Sequence, residues 1–138
     1  MKRWMVIMLV MIGLALGAGV LGFADSGADK VKAANLRAAQ DYYKSGLLLA
    51  EEGREAEAAK AFRQAISIRP DWAEAHSLLG STLARAGNFA DAEAELRKAV
   101  SLKPDYAEGW NFLGEFLKAR GKTQEAEEAF RKAKQFAH

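Results

Sequence analysis

The chain has 138 residues, of which 50% are hydrophobic and 28% are charged, and this balance excludes the profile of a disordered protein. It has no cysteine and only 2 histidines, which excludes a disulfide framework, a thiolate zinc site and a cysteine nucleophile. The net charge of +2 comes from Lys2 and Arg3, so the body of the chain is neutral and lacks the basic stripe that nucleic-acid binding needs.

The first predicted element is an uncharged apolar run over residues 4–23, which follows Lys2 and Arg3. A helix of this length spans about 30 Å, the thickness of the hydrocarbon core of a bilayer. Two interpretations stay open: a signal anchor that remains in the membrane, or a signal peptide over residues 1–24 that is cleaved after Ala24. Either one predicts a cell-envelope protein whose remaining residues lie on the non-cytoplasmic, periplasmic side.

Residues 25–38 are predicted to form a linker and a lead-in helix. The linker is the short polar stretch from Asp25 to Asp29, and helical periodicity resumes at about Lys30. If the apolar segment stays in the membrane, the folded part therefore lies close to the membrane surface.

The rest of the chain repeats itself every 34 residues, a period that is typical of helical repeat arrays. Two glycine columns, one proline pair, one column of large apolar residues and two alanine columns share this period. They are Gly46, Gly80, Gly114; Gly53, Gly87, Gly121; Pro70, Pro104; Phe62, Leu96, Phe130; Ala58, Ala92, Ala126; and Ala65, Ala99, Ala133. The three units are residues 39–72, 73–106 and 107–138.

Each unit is predicted to contain two helices. Gly53 and its equivalents end the first helix, because glycine readily adopts a left-handed backbone, and the prolines end the second. Gly46 and its equivalents lie in mid-helix, where glycine costs about 1 kcal/mol relative to alanine, so we expect a helix–helix contact too close for a Cβ. Asp71 and Asp105 are predicted to cap the first helices of the second and third units.

This pattern resembles the tetratricopeptide repeat: an aromatic residue, a Leu-Gly pair three residues later, and then alanine, an aromatic, alanine and proline. The third unit carries it as Trp110, Leu113, Gly114, Ala126, Phe130 and Ala133. The second unit has His76 where an aromatic is usual, and the first has Ser45 in place of leucine. The resemblance implies an all-α fold: a right-handed α-solenoid of three helix-turn-helix units, with the N-terminal hydrophobic helix in front. It also implies a non-catalytic protein-binding scaffold rather than an enzyme.

The resemblance further implies that a protein or peptide partner binds the concave wall formed by the first helix of each unit. Carried onto this chain, the partner-binding groove comprises Tyr43, Lys44, Leu47, Ser77, Leu78, Ser81, Asn111, Phe112 and Glu115. Its aromatic and leucine side chains offer apolar contacts, and its serines and asparagine offer hydrogen bonds to a peptide backbone. Leu78 and Phe112 are equally consistent with packing between helices, and packing is the favoured interpretation of Leu47. Some members of the family clamp a terminal carboxylate with basic residues on this wall, and Tyr43, Leu47 and Ser81 argue against such a clamp here.

No residue is predicted to be catalytic, to bind a cofactor or to bind a metal. The sequence contains no GxxxxGK[ST], HExxH or GxSxG motif, and these motifs mark phosphate-binding, zinc-protease and serine-hydrolase sites. His76 stands in an aromatic packing column, so we interpret it as a core residue.

The end of the array is predicted from the column that faces the following unit. It reads Ile66, Val100 and Lys134, and the change from apolar to charged indicates that the third unit ends the array. The leading hypothesis is a scaffold of the cell envelope that tethers or assembles a membrane complex. The alternative is an accessory subunit that self-associates or stacks edge-on on a larger repeat assembly; Phe136 fits packing better than a partner contact. The oligomeric state stays open.

Overall fold

The computed structural model describes the side chains of residues 26–138, and all regular structure in this range is α-helical. The helices are α1 (Lys2–Glu51), α2 (Glu55–Ile68), α3 (Ala73–Arg85), α4 (Phe89–Leu102), α5 (Ala107–Ala119) and α6 (Thr123–Phe136). Two compact units divide the chain, Met1–Leu36 and Arg37–His138. The predicted apolar segment over residues 4–23 lies outside the described residues. Within residues 26–138, no helix is both long enough and apolar enough to cross a membrane.

The unit Arg37–His138 contains three helical hairpins, as the 34-residue period predicts. Each hairpin turns at a glycine with a left-handed backbone, at φ values of 74° for Gly53, 86° for Gly87 and 78° for Gly121. After Gly53 the amide of Arg54 donates to the Leu49 carbonyl at 2.9 Å, which is the hydrogen bond of a Schellman helix end. The other two turns repeat this bond, so the predicted ends of the first helices are confirmed.

The mid-helix glycines mark the closest approach of the two helices in each hairpin. A Cβ at Gly46 would lie 2.7 Å from the Phe62 ring. A Cβ at Gly80 would lie 2.7 Å from Leu96, and one at Gly114 would lie 2.8 Å from the Phe130 ring. Because real Cβ atoms do not approach neighbours this closely, the three predicted contacts are confirmed.

The predicted aspartate caps are wrong. Trp72 and Tyr106, not Asp71 and Asp105, occupy the N-cap positions of α3 and α5, and neither helix start has a side-chain cap bond. The aromatic rings instead pack against neighbouring helices, and Trp72 stacks on Tyr43 with ring centroids 4.4 Å apart. Half-buried aromatic residues rather than capping aspartates therefore stand at these two helix starts.

The hairpins stack so that the first helices form one continuous side. α2 packs on α3, α4 packs on α5, and α3 also packs on α5. The large side chains that are fully buried between them come from α2, α3, α4 and α5: Phe62, Leu79, Leu83, Leu96, Leu113 and Leu117. We call the side formed by residues 39–51 of α1 with α3 and α5 the inner wall. We call the junction of the first and second hairpins the first seam and that of the second and third the second seam.

Candidate partner-binding surface

The structure places eight of the nine predicted groove residues at the surface of the inner wall. Lys44, Asn111 and Glu115 are exposed. The half-buried ones are Tyr43, Leu47, Leu78, Ser81 and Phe112. All of the apolar residues among them also pack against the core, so each serves the fold and the surface together.

Ser77 is the exception, because it is fully buried. Its hydroxyl donates to the Glu74 carbonyl at 2.9 Å and lies 3.5 Å from the Tyr106 hydroxyl. The prediction that Ser77 presents a hydrogen-bonding group to a ligand does not fit this position. The small side chain at residue 77 accommodates Tyr106, whose approach could not be read from the spacing of the repeats.

One end of the inner wall, near the starts of α3 and α5, is polar and internally partnered. Glu74 pairs with Lys103 at 3.0 Å, and the Tyr106 hydroxyl donates to Glu108 at 3.4 Å. Burial, and then the charges of Glu74 and Glu108, raise the pKa of Tyr43. Burial also raises the pKa of Tyr106 to about 12. Both phenols are therefore neutral at physiological pH and belong to a closed cluster.

The other end of the wall contains a cavity at the second seam. Its volume is about 260 Å³. It is lined by Ser81, Ala84, Arg85, Phe89, Phe112, Glu115, Phe116, Ala119 and Arg120. The sequence predicted three of these, Ser81, Phe112 and Glu115, as groove residues, but it did not single out Phe89 and Arg120. The sequence does contain a signal for Phe89, because this large apolar residue stands at the position equivalent to the charged Glu55, 34 residues earlier.

The mouth of this cavity contains a cation without an anionic partner. The Arg120 guanidinium lies over the Phe89 ring, 4.2 Å from its centroid, and no carboxylate of the described residues forms an ion pair with it. Arg85 in contrast pairs with Glu55 at 3.1 Å. Phe89 is 42% exposed, which is unusual for a ring of this size and marks an available apolar surface.

A second cavity, of about 150 Å³, lies between α5 and α6 beside α4. Its charged lining is already paired, because Arg97 lies 2.5 Å from Glu125 and Lys132 lies 4.4 Å from the centre of the Trp110 ring. These internal contacts make it a poorer candidate for a ligand site.

His76 is buried, as predicted for a core residue, and makes two side-chain hydrogen bonds. Its Nδ1 lies 2.5 Å from Glu95, and its Nε2 lies 2.8 Å from the Pro70 carbonyl. Trp110 makes the equivalent bond in the next unit, from its indole N–H to the Pro104 carbonyl at 2.8 Å. Histidine therefore replaces the usual aromatic while keeping its donor. Among residues 26–138, no cluster of three or more histidine or acidic side chains is arranged to hold a metal.

The sequence model of the tetratricopeptide repeat family matches residues 49–115 and 83–138. Since these matches span more than half of the chain, the protein belongs to the tetratricopeptide repeat family. No curated protein matches it in sequence.

Solved structures with the same fold include MamA, at 25% identity and a TM-score of 0.67 over 73% of this chain and 59% of MamA. The chain thus spans well under two thirds of the MamA chain. The first TPR domain of Spaghetti (RPAP3), bound to the HSP90 peptide SRMEEVD, is 21% identical with a TM-score of 0.69, covering 72% of this chain and 79% of that domain. The Sgt2 TPR domain from Aspergillus fumigatus is 20% identical with a TM-score of 0.69, covering 71% of this chain and 65% of that one.

Proposed function

We propose that this protein is a non-catalytic scaffold that binds a peptide or protein segment on its inner wall. The observation that carries the proposal is the wall itself, which contains half-buried Leu78 and Phe112 together with exposed Lys44 and Asn111. Such a mixture gives a ligand apolar area together with hydrogen-bonding groups. The two TPR domains of RPAP3 were solved with a bound HSP90 peptide, which supports a peptide as the ligand class.

The ligand of this wall differs from an acidic tail held by a basic clamp. Tyr43 and Leu47 stand where such a clamp would need basic or amide side chains, and Tyr43 is stacked on Trp72. Glu108, which accepts from the Tyr106 hydroxyl at the same end, adds negative charge that disfavours an acidic ligand there.

Selection from a random peptide display library tests the proposal with the full-length chain. A wall variant (Lys44→Glu, Leu78→Asn, Asn111→Ala) should lose the selected peptides, with affinity falling by about tenfold or more if the wall supplies the contacts. Lys98→Glu, on the exposed face of α4, is the matched charge-reversal control and should bind like the wild type. Peptides that bind the wall variant equally well would contradict the proposal, provided both variants retain the wild-type circular dichroism spectrum.

We also propose that the scaffold acts in the cell envelope, with its repeats on the non-cytoplasmic side. The support is the uncharged sequence of residues 4–23 behind Lys2 and Arg3, which favours export with the positive end retained inside. Intact mass of the protein purified from membranes and from the periplasm distinguishes a retained anchor from cleavage after Ala24. Recovery of the uncleaved chain in the cytosol alone would contradict the proposal.

A second candidate function is edge-on association through α1, and one comparison supports it. Tyr42 is 38% exposed, whereas its equivalent His76 is 6% exposed. Leu48 is 61% exposed, whereas its equivalents in the second and third units, Thr82 and Phe116, are 1% and 7% exposed. The opposite end is polar, with Lys134 exposed and Phe136 half-buried. Sedimentation equilibrium of the full chain and of Tyr42→Ser/Leu48→Ser tests self-association, and a monomeric wild type would exclude it.

A further inference from the structure

The two seams of the array are built from equivalent positions but filled by different side chains. In the first seam, Arg85 reaches back to Glu55 at 3.1 Å. The residues 34 positions later, in the second seam, are Ala119 and Phe89. No ion pair can form between these two side chains, and the shorter alanine leaves the space that the arginine fills in the first seam.

A second size difference enlarges the same space. Leu47 lines the inner wall in the first unit, and Ser81 occupies its equivalent position in the second. Ser81 and Ala119 both line the cavity of about 260 Å³. An apolar cavity of about 150 Å³ is already large enough to bind benzene, so this one has room for a large apolar side chain.

The lining of the cavity specifies what would bind there. Phe112 and Phe116 provide an apolar floor, and the exposed ring of Phe89 extends it to the surface. Two guanidinium groups and one carboxylate, that of Glu115, line the cavity. Since Arg85 is already paired with Glu55, the unpaired guanidinium of Arg120 is the group available to a ligand anion.

We propose that the cavity of the second seam is a specificity pocket for a leucine-sized or aromatic side chain of the bound segment, with an acidic residue next to it in sequence that pairs with Arg120. This inference rests on the proposed function, since it names what the inner wall recognises. An arginine stacked on an aromatic ring is held in place before the ligand arrives, so pairing with a carboxylate costs less side-chain entropy.

The test uses a random peptide display library, the full-length chain and fluorescence anisotropy of the selected peptides. The double variant Phe89→Glu/Ala119→Arg places the residues of the first seam, Glu55 and Arg85, at the equivalent positions of the second seam and closes the pocket. Loss of a buried large apolar side chain should weaken binding by about tenfold or more. Arg120→Gln should weaken binding by about two- to fivefold, the effect of an exposed ion pair, and the loss should shrink at high salt. Ala94→Arg, at an exposed position of α4, is the control for an added arginine and should bind normally.

Three outcomes are distinguishable. Selected peptides that share an apolar residue beside Asp or Glu, and that respond to the double variant and to Arg120→Gln, establish the pocket. Peptides that depend on Lys44, Leu78 and Asn111 but tolerate the double variant and Arg120→Gln overturn the pocket while the proposed function stands. A selection in which no peptide distinguishes the wild type from the wall variant overturns both. Circular dichroism and thermal unfolding of each variant confirm that binding losses do not come from unfolding.

Discussion

The two seams of the array join the same kinds of helices, yet they are held together on opposite sides. The first seam is closed at the inner wall by Arg85 and Glu55. Between its second helices, α2 and α4, the small buried Ala59 stands at the position equivalent to Glu93. The second seam is open at the inner wall and is braced between the second helices. There Lys122 pairs with Glu93 at 2.9 Å, and Arg97 pairs with Glu125 at 2.5 Å.

The hairpins can therefore stack without the same side chains at the inner-wall side of each seam. The core residues and the glycine contacts repeat in all three units, and they determine how the units pack. The positions that vary between the seams can therefore be used for recognition, provided that other contacts supply the lost stability. In the second seam, the ion pairs of Lys122 and Arg97 provide a contact between hairpins that does not occupy the inner wall.

The largest effect on stability is expected at the core residues and glycine contacts that all three units share, which we call the shared frame. A Cβ at Gly80 would meet Leu96 at 2.7 Å and the Ala92 carbonyl oxygen at 3.0 Å, and a backbone atom cannot rotate away. Gly80→Ala should therefore lower the free energy of unfolding by about 2 kcal/mol, since overpacking costs outweigh the gain in helix propensity. Urea unfolding of the full chain measures this loss.

Gly114→Ala is the matched comparison, because the three atoms nearest to its new Cβ all belong to the ring of half-buried Phe130. That ring can turn toward solvent, so we expect a loss below about 1 kcal/mol. Equal losses at Gly80 and Gly114 would show that the backbone contact at Gly80 costs no more than the side-chain contact at Gly114.

A somewhat smaller effect is expected at His76, which joins the second hairpin to the end of the first. Burial by itself lowers the pKa of His76. The hydrogen bonds to Glu95 and to the Pro70 carbonyl raise it by more than burial lowers it, so the pKa lies above its usual value. Lys98 opposes this weakly. Because the folded pKa exceeds the unfolded one, the stabilisation is complete below about pH 6.5 and is lost as the pH rises through the folded pKa.

His76→Gln keeps a polar side chain but does not titrate. At about pH 6 it should cost about 1 to 2 kcal/mol, because the hydrogen-bonded imidazolium is lost from a buried site. The difference from the wild type should narrow as the pH increases toward 9. A difference that stays constant with pH would show that folding does not change the pKa of His76. Trp110, which makes the equivalent bond without a titratable group, gives no such dependence in the third unit.

The sequence predicted the shared frame better than the recognition surface, for a physical reason. Gly46, Gly80 and Gly114 each meet the same steric requirement, a close approach of the two helices of a hairpin, so a single sequence shows them as a column. Ser77 and Tyr106 depend on how two hairpins approach each other, and no spacing rule contains that information. Phe89 and Arg120 meet only because a turn brings the start of α4 near the end of α5. They were missed because neither belongs to a first-helix face.

The brace of the second seam should contribute a smaller and salt-dependent stability. The bonds from Lys122, followed by those from Arg97, hold the pKa of Glu93 below its usual value. The stabilising effect of ionised Glu93 is therefore present above its unfolded pKa and is lost as the pH falls through its lowered pKa in the folded protein. Lys122→Ala should cost about 0.5 to 1 kcal/mol at low salt and less at high salt. Lys118→Ala, which removes an exposed lysine that makes no ion pair with the described residues, is the control.

The smallest effect is expected for the pair that closes the first seam. Arg85 is about half exposed, at 52% of its side chain, so solvent screens its attraction to Glu55. A double-mutant cycle with Arg85→Ala and Glu55→Gln should give a coupling energy of about 0.2 to 1 kcal/mol, at or below the cost of Lys122→Ala. A coupling of zero at low salt would mean that side-chain size alone closes the first seam. The contrast with the second seam would then rest on the change from Leu47 to Ser81 and from Arg85 to Ala119, without any contribution from charge.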